Sequence, residues 1–546
     1  MYQMNRRTAL ITIGTALALA GCGTDEPEKK GDDLSAKRDG AMANFAVGTQ
    51  FAATAPVSFS LLYNNHSFYP IKNDWLFWSE LTKRTNTTLV PSVVPLSDYE
   101  SKRSLMIGAG DAPLIIPKTY PGQETSFVAS GAILPVSDYL DLMPNFKDKV
   151  AKWNLGPDLD TLRQSDGRFY LLPGLHEGYW VEYSLAMRTD ILEELGLEIP
   201  TTWDELHTVL KAMKAKYPDQ YPMSDRWGVP TPGGALLRVL GSQFGAPGGW
   251  AYQNATWDPK AQKFAFTGAM EQYKQALTYL HTLVAEKLLD PESFTQPDDM
   301  AIQKLASGKS FVISTNAQTL VNEYRPPLAE ANPRAKLVKI PVPIGPMGPI
   351  KPDPKTRLEN GIMISKKALD SKNFVAMMQF IDWLWYSDAG QAFAKWGIDG
   401  VTTTKDGSGK YKPASDVDFI GLNPGAPKHL QKDFGFSNGV FAYGGSTELL
   451  QSTFSEEEVA FQKTMNARTA LPVEPPHPLT DAEREQATLW ETPLKDHVTQ
   501  NTLKFILGNR DLGEWDAYVK ELEAQNSKAY IDMVNAAYER YKKQHG

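Results

Sequence analysis

In Leu195-Gly196-Leu197-Glu198-Ile199-Pro200-Thr201-Thr202-Trp203-Asp204-Glu205-Leu206, Thr202 and Glu205 form a capping-box pattern that opens a helix over 201–217. The threonine hydroxyl and the glutamate three residues on would satisfy the exposed N–H groups of the first turn. Leu206, Val209, Leu210 and Met213 then recur at i, i+3, i+4 and i+7, one apolar stripe facing a core. Trp203 beside the stripe reads as a core residue. Similar helix starts stand at Ser455-Glu456-Glu457-Glu458 and Thr480-Asp481-Ala482-Glu483, and residues 371–386 and 512–543 also read as helices.

Nearer the N-terminus, Val57-Ser58-Phe59-Ser60-Leu61-Leu62-Tyr63 is strand-like, Trp75 to Arg84 helical, and Thr88-Leu89-Val90 extended. Strand, helix, strand opens an α/β domain. No repeat of fixed period is present, which argues against a solenoid or propeller.

The first 22 residues, MYQMNRRTALITIGTALALAGC, place Arg6 and Arg7 before an apolar run from Ala9 to Ala20. That run is shorter than the roughly 20 residues a spanning helix needs. It has the length and flanks of a signal-peptide core. Leu19-Ala20-Gly21-Cys22 resembles a lipobox, in which Cys22 would receive a diacylglyceryl anchor and become the mature N-terminus. Cys22 is the only cysteine, so no intramolecular disulfide can form. The reading is a lipoprotein signal peptide at 1–21, with the folded body outside the cell membrane and held there by lipid. Asn5 to Leu10 also resembles a twin-arginine signal, which leaves the export route open. Residues 22–56 have linker composition and are expected to form a tether.

The 56 basic and 64 acidic residues give a net charge of −8. No basic patch of the kind that nucleic acid demands is visible. No other apolar run reaches 18 residues, so membrane contact is expected at the lipid alone. With 13 Trp, 22 Tyr and 23 Phe, there are aromatics enough both for cores and for a ligand site.

Three motifs imitate catalysis and fail. Ser307-Gly308-Lys309-Ser310 resembles the end of a phosphate-binding loop, but Gln303 stands where its first glycine belongs. The order of elements is reversed as well, helix before and strand after. Gly308 is better read as a helix C-cap. Asp406-Gly407-Ser408-Gly409-Lys410 lacks the oxygen ligands of a calcium loop and reads as a turn. Glu177 and Glu182 could pair as acid and base in a glycosidase, but 64 acidic residues make some such pair inevitable. The eight histidines show no metal-ligand spacing. No enzyme, metal or cofactor is expected.

Several stretches together resemble bacterial extracellular solute-binding proteins of ABC importers. They are Ser104 to Pro113 (SLMIGAGDAP), where Leu114 replaces a usual aspartate, and Gly131 to Asp138 (GAILPVSD). Arg188-Thr189-Asp190-Ile191-Leu192 followed by the 195–206 run matches closely, as does Leu288-Leu289-Asp290-Pro291. Gly397 to Val401, Phe505 to Gly508 and Trp515 to Tyr518 have counterparts too, the last typical of the large oligosaccharide-binding branch. The likeness runs from about 57 to 543, and within the branch the chain most resembles alginate-type binders. One departure matters. Those proteins carry a calcium loop after the helix, whereas Lys214 to Pro222 (KAKYPDQYP) lacks alternating oxygen ligands, which puts calcium in doubt.

The resemblance implies an α/β, two-lobed, periplasmic-binding-protein-like fold of type II, closing around a ligand in its cleft. Chain crossings are expected near 175–185, 355–362 and 400–410. Lobe one would be 57–176 with 362–402, and lobe two 177–358 with 403–546. The implied function is a monomeric lipoprotein that captures an oligosaccharide and delivers it to ABC permease subunits. A peptide ligand on the same fold, or a surface glycosidase or lyase, are the competing readings.

A sugar needs flat aromatic surfaces for its C–H faces and fixed polar groups for its hydroxyl rim. His176, Glu177, Tyr179 and Trp180 offer both at the first expected crossing. Asn64, Asn65 and His66 follow the first strand, and Asn316 and Gln318 follow the 311–314 strand, where α/β sheets present loops to ligands. Trp250, Tyr252 and Tyr443, beside glycine-rich stretches, complete the aromatic candidates. Arg238 is a candidate to grip a carboxylate.

Overall fold

The computed structural model describes residues 32–228, 231–352 and 356–545. The signal segment and Cys22 lie outside them. In chain order the strands that frame the site are β1 Val57–Asn65, β2 Thr87–Pro95, β3 Ile115–Thr119, β4 Leu172–Leu175 and β5 Ser184–Arg188. After them come β6 Ala255–Asp258, β7 Lys263–Phe266, β8 Val312–Thr315, β9 Leu337–Ile340 and β10 Leu358–Ile364.

The first sheet has the order β2-β1-β3-β10-β4. β1 runs parallel to β2 and β3, and β10 returns antiparallel between β3 and β4. Its side chains are sorted by the two-residue period of a strand. Phe59, Leu61 and Tyr63 enter one core, while Leu62 points to the opposite face with Ile116 and Met363. Against the main face lies the helix Phe374–Tyr386, in which all 13 residues are buried. A helix apolar all round belongs in the middle of a large core. Its one carboxylate, Asp382, accepts from the backbone N–H groups of Asn145 and Phe146 and so caps the helix Pro144–Lys152.

The second sheet has the order β8-β5-β9, with β5 antiparallel to both neighbours. Leu185 and Met187 of β5 enter a second core, and Ala186 faces Ile313 and Leu337 on the far side. The helix Trp203–Lys216 packs its stripe of Leu206, Val209, Leu210 and Met213 into the second core. Both capping-box bonds are present: Glu205 N–H donates to the Thr202 hydroxyl, and the Glu205 carboxylate accepts from Thr202 N–H. Ser455 and Thr480 cap their helices as their sequences implied, and Gly308, at φ +73°, terminates the helix Asp298–Ala306. The stretch expected as one helix at 512–543 is two, Trp515–Ala524 and Ser527–His545, broken at Asn526 with φ +71°.

Two expectations are corrected. Residues 32–56 are not a tether: Phe51 and Ala53 are buried in the first core, Phe45 meets Phe51 edge-on, and Gln379 bonds both backbone groups of Met42. Two aromatics anchor a segment whose overall composition reads as linker. The expected crossing at 400–410, with 403–546 in lobe two, also fails. Val417, Phe419, Phe436, Phe441 and Tyr443 belong to the first core, where Phe441 stacks on Phe77 at 4.5 Å. The chain returns to the second core only between Leu449 and Phe461. The other passages lie between Leu175 and Val181 and between Val342 and Leu358.

Candidate ligand-binding site

A cavity of about 180 Å³ opens where these passages converge. It is smaller than the roughly 300 Å³ of a drug-sized site and has room for about one sugar ring. Residues of both lobes line it. His176, Trp180 and Glu182 come from the first passage, Asn316 and Gln318 from the end of β8, Glu359 from β10, and Lys395, Phe419 and Phe454 from the C-terminal half.

The polar floor is held by the passage strands. His176 Nε2 and Glu359 Oε2 are 2.9 Å apart, and Gly444 N–H donates to the same oxygen. Burial alone would raise the Glu359 carboxyl. The His176 hydrogen bond and charge, with Lys395 near by, outweigh it and bring the pKa to about 2. Lys395 donates to the Ala442 carbonyl at 2.8 Å, and burial lowers its pKa to about 8 against the pull of Glu359. Trp180 Nε1 and His176 Nδ1 are buried donors or acceptors without a protein partner, the state in which a polar group gains most from a ligand hydroxyl.

Next to this cavity, Tyr183, Trp227 and Trp250 form an aromatic group, with Trp250 5.5 Å from Tyr183 and 5.2 Å from Trp227. Trp250 is 40% exposed, and the Arg238 guanidinium lies 5.0 Å over the Tyr183 ring. Trp227 has φ +63°, costly for a bulky residue. Its N–H is clamped by Asp298 at 3.0 Å, and Arg226, bound to Asp298 and Glu323, stacks 4.6 Å over its ring. Glycine is required where the helix Gly234–Phe244 meets these loops. A Cβ at Gly234 would strike the Trp227 carbonyl at 1.9 Å, and one at Gly249 the Gly234 carbonyl at 2.1 Å.

On the facing lobe, Lys118, the penultimate residue of β3, has φ +53°. Its N–H donates to the Tyr443 hydroxyl at 3.0 Å and its carbonyl accepts from Arg103 at 2.7 Å. The ammonium lies 5.8 Å over the Tyr120 ring. His66 stacks on Tyr69 at 4.5 Å. Burial lowers its pKa, and its charged neighbours are Glu323 and Arg226 of the opposite lobe with Lys118 of its own.

The residues singled out from the sequence therefore divide. His176, Trp180, Asn316 and Gln318 line the cavity, and Trp250 and Arg238 join the aromatic group. Tyr179 lies beyond the cavity, between Lys351 and Arg357, and lines only a small adjoining recess. Glu177 accepts from Thr447 N–H at 2.7 Å and is occupied there. Asn65 closes its own loop on Ile71 N–H, and Asn64 is buried in β1. Two assignments are corrected. Tyr252 packs on Tyr273 beside the second core, and Tyr443 is 2% exposed in the first core, where its hydroxyl shapes the Lys118 backbone. The structure adds Lys118, Tyr183, Trp227, Glu359 and Lys395 to the candidates, and it puts Glu182, considered from the sequence only as an acid/base partner, on the cavity wall. Left-handed backbone at Lys118 and Trp227 leaves no mark on composition or period.

The residues after the Trp203–Lys216 helix do not fit a calcium ion. Lys214 places its ammonium on the Gln220 carbonyl at 2.8 Å and 5.2 Å over the Tyr221 ring, and the described residues contain no cluster of three metal-binding side chains. No helix among them is long and apolar enough to cross a membrane.

The family model for bacterial extracellular solute-binding proteins matches residues 70–392. The fructooligosaccharide ABC transporter substrate-binding protein FusA of Streptococcus pneumoniae serotype 4 is 24% identical over 480 residues, 82% of this chain and 83% of that protein. The polygalacturonan/rhamnogalacturonan-binding protein YtcQ of Bacillus subtilis is 22% identical over 98% of this chain and 99% of its own. Among solved structures, the alginate-binding protein AlgQ2 without calcium ion superposes with a TM-score of 0.72 at 20% identity, covering 90% of this chain and 99% of that one. With its two cores joined around a ligand-sized cavity, the chain belongs to the bacterial extracellular solute-binding protein family.

Proposed function

We propose that the protein captures an oligosaccharide outside the cell, between its two lobes, and hands it to the permease of an ABC importer. The observation that carries this reading is the pairing of an aromatic group, Tyr183 and Trp227 half-buried behind an exposed Trp250, with the cavity lined by His176, Trp180 and Glu182. Rings cover the C–H faces of a sugar, and unpartnered donors and acceptors answer its hydroxyls. The named relatives bind oligosaccharides or polysaccharides, which supports the same class here. The protein works as a monomer held at the outer face of the membrane by lipid on Cys22. It performs no chemistry on its ligand. Glu177, the acid/base partner that Glu182 would need, is hydrogen-bonded to Thr447 rather than facing it across the cavity.

Small-angle scattering with isothermal titration tests the reading. A bound oligosaccharide should draw the lobes together, reduce the radius of gyration and be recovered intact. Tight binding without compaction would remove the cleft, and shortened products from pure protein would restore the glycosidase.

A further inference from the structure

Among the described residues that line the cavity, Glu182 is the one carboxylate without an ion pair. Glu458 binds Lys339 with both oxygens at 3.0 Å, in a pair whose side chains are 4% and 1% exposed. Glu457 is taken by Arg325 at 2.6 Å and by Lys339 N–H at 3.1 Å. Glu359 accepts from His176 and from Gly444 N–H, and Lys395 is committed to the Ala442 carbonyl. Among the described residues Glu182 receives one hydrogen bond, from Asn316 Nδ2 at the long distance of 3.5 Å, and no cation of theirs lies within ion-pair reach of it. The charges that face it from the surrounding elements are Arg238, Lys339 and Lys118, which favour ionisation, and Glu359, which opposes it. Burial outweighs them and holds its carboxyl above the usual range. Lys118, on the opposite lobe, faces Glu359 of its own lobe as well as Glu182.

We infer that the cavity selects an uncharged, hydroxyl-bearing sugar unit and refuses a uronic acid, with Glu182 as the selecting group. This rests on the reading of the protein as an oligosaccharide binder. An ionised carboxylate only accepts hydrogen bonds, and its two oxygens can each take one hydroxyl of a vicinal diol. A uronate carboxylate in the same place has no proton to offer, and the two like charges raise each other's pKa, which weakens binding. The relatives include binders of fructooligosaccharide and of polygalacturonan, so membership of the family does not decide the charge of the ligand. Binding of a neutral unit draws Glu182 into its ionised form. Affinity therefore rises with pH through its titration, and one proton is released when binding occurs below it.

The test is an array of neutral and uronic-acid oligosaccharides of matched length, probed with the whole protein and with Glu182→Gln, followed by titration of every retained sugar at pH 5, 6.5 and 8. Retained sugars should be neutral. Glu182→Gln should weaken them about tenfold at pH 8, as expected when a charged acceptor becomes a neutral one, and should flatten the pH dependence. The melting temperature of the ligand-free variant should not fall, because the glutamine amide oxygen can still accept from Asn316. A uronic-acid oligosaccharide as the tight ligand, or a variant with unchanged affinity and pH profile, overturns the inference and leaves oligosaccharide binding standing. Retention of no sugar at all overturns the binding reading on which it rests.

Discussion

Arg484, on the helix Asp481–Leu507 that packs into the second core, donates from Nη2 to Oε1 of Gln164 in the first lobe at 2.8 Å. Neither residue lines the cavity, yet the bond joins the two lobes. Glu124 and Asp166 of the first lobe also face the guanidinium. Such a contact exists only while the lobes are together, so its energy counts toward closure. A net hydrogen bond is worth about 1 kcal/mol, or about fivefold in a dissociation constant. Arg484→Met keeps the apolar stem and removes the bond. Ligand affinity should fall about fivefold and the ligand-free radius of gyration should rise. An unchanged scattering curve with unchanged affinity would mean that the bond does not govern closure.

Trp250 and Tyr252 are two residues apart and should respond oppositely to truncation. Trp250 is 40% exposed in the aromatic group, whereas Tyr252 packs on Tyr273 beside the second core. If a sugar covers about 100 Å² of the indole, the contact is worth about 2.5 kcal/mol, near seventyfold in affinity. Trp250→Ala should therefore weaken binding tens-fold with little change in melting temperature. Tyr252→Ala should lower the melting temperature and spare affinity, because it empties packed space. Calorimetric titration and melting curves on the pair decide the matter, and the reverse pattern would move the site off Trp250.

The segment at 176–183 stands out in the sequence because it combines ring and polar groups just before a strong helix signal, and the structure brings His176, Trp180 and Glu182 to the candidate cavity. The helix at 203–216 was legible because its cap and stripe are local. What escaped is made by distant contacts. The Trp227 conformation depends on Asp298, 71 residues on, and that of Lys118 on Tyr443, 325 residues on. Residues 403–449 escaped because their buried aromatics, Phe419, Phe436, Phe441 and Tyr443, follow no helical or strand period. They fill gaps against Phe77, Trp385 and Trp396 as an irregular layer.

If lipid on Cys22 is the anchor, as proposed, membrane attachment should depend on that residue, because no helix among the described residues is able to span a bilayer. Cys22→Ser should move the protein from the membrane pellet to the soluble fraction after export. Equal retention of the variant in the pellet would show that another segment holds it there.

Stability should fall as pH rises toward neutrality, and Glu124 should be one cause. Its side chain is 1% exposed, and burial pushes the carboxyl up to about 7, with Gly122 N–H at 2.8 Å and the charges of Arg484 and Arg103 only partly offsetting it. In the unfolded chain the same group titrates near 4.5. The folded protein therefore holds this proton more tightly than the unfolded one. Its contribution is fully present below about pH 4.5 and is lost as pH climbs through about 7, a change on the order of a few kcal/mol. Glu124→Gln still accepts from Gly122 and has no proton to lose. Melting temperatures of the two proteins should diverge between pH 5 and 8, with the variant the more stable at pH 8. Parallel curves would show that Glu124 ionises without cost. In the Arg484→Met background the carboxylate loses one stabilising charge, so the wild-type fall in stability should shift to still higher pH, which ties the buried acid to the bond that joins the lobes.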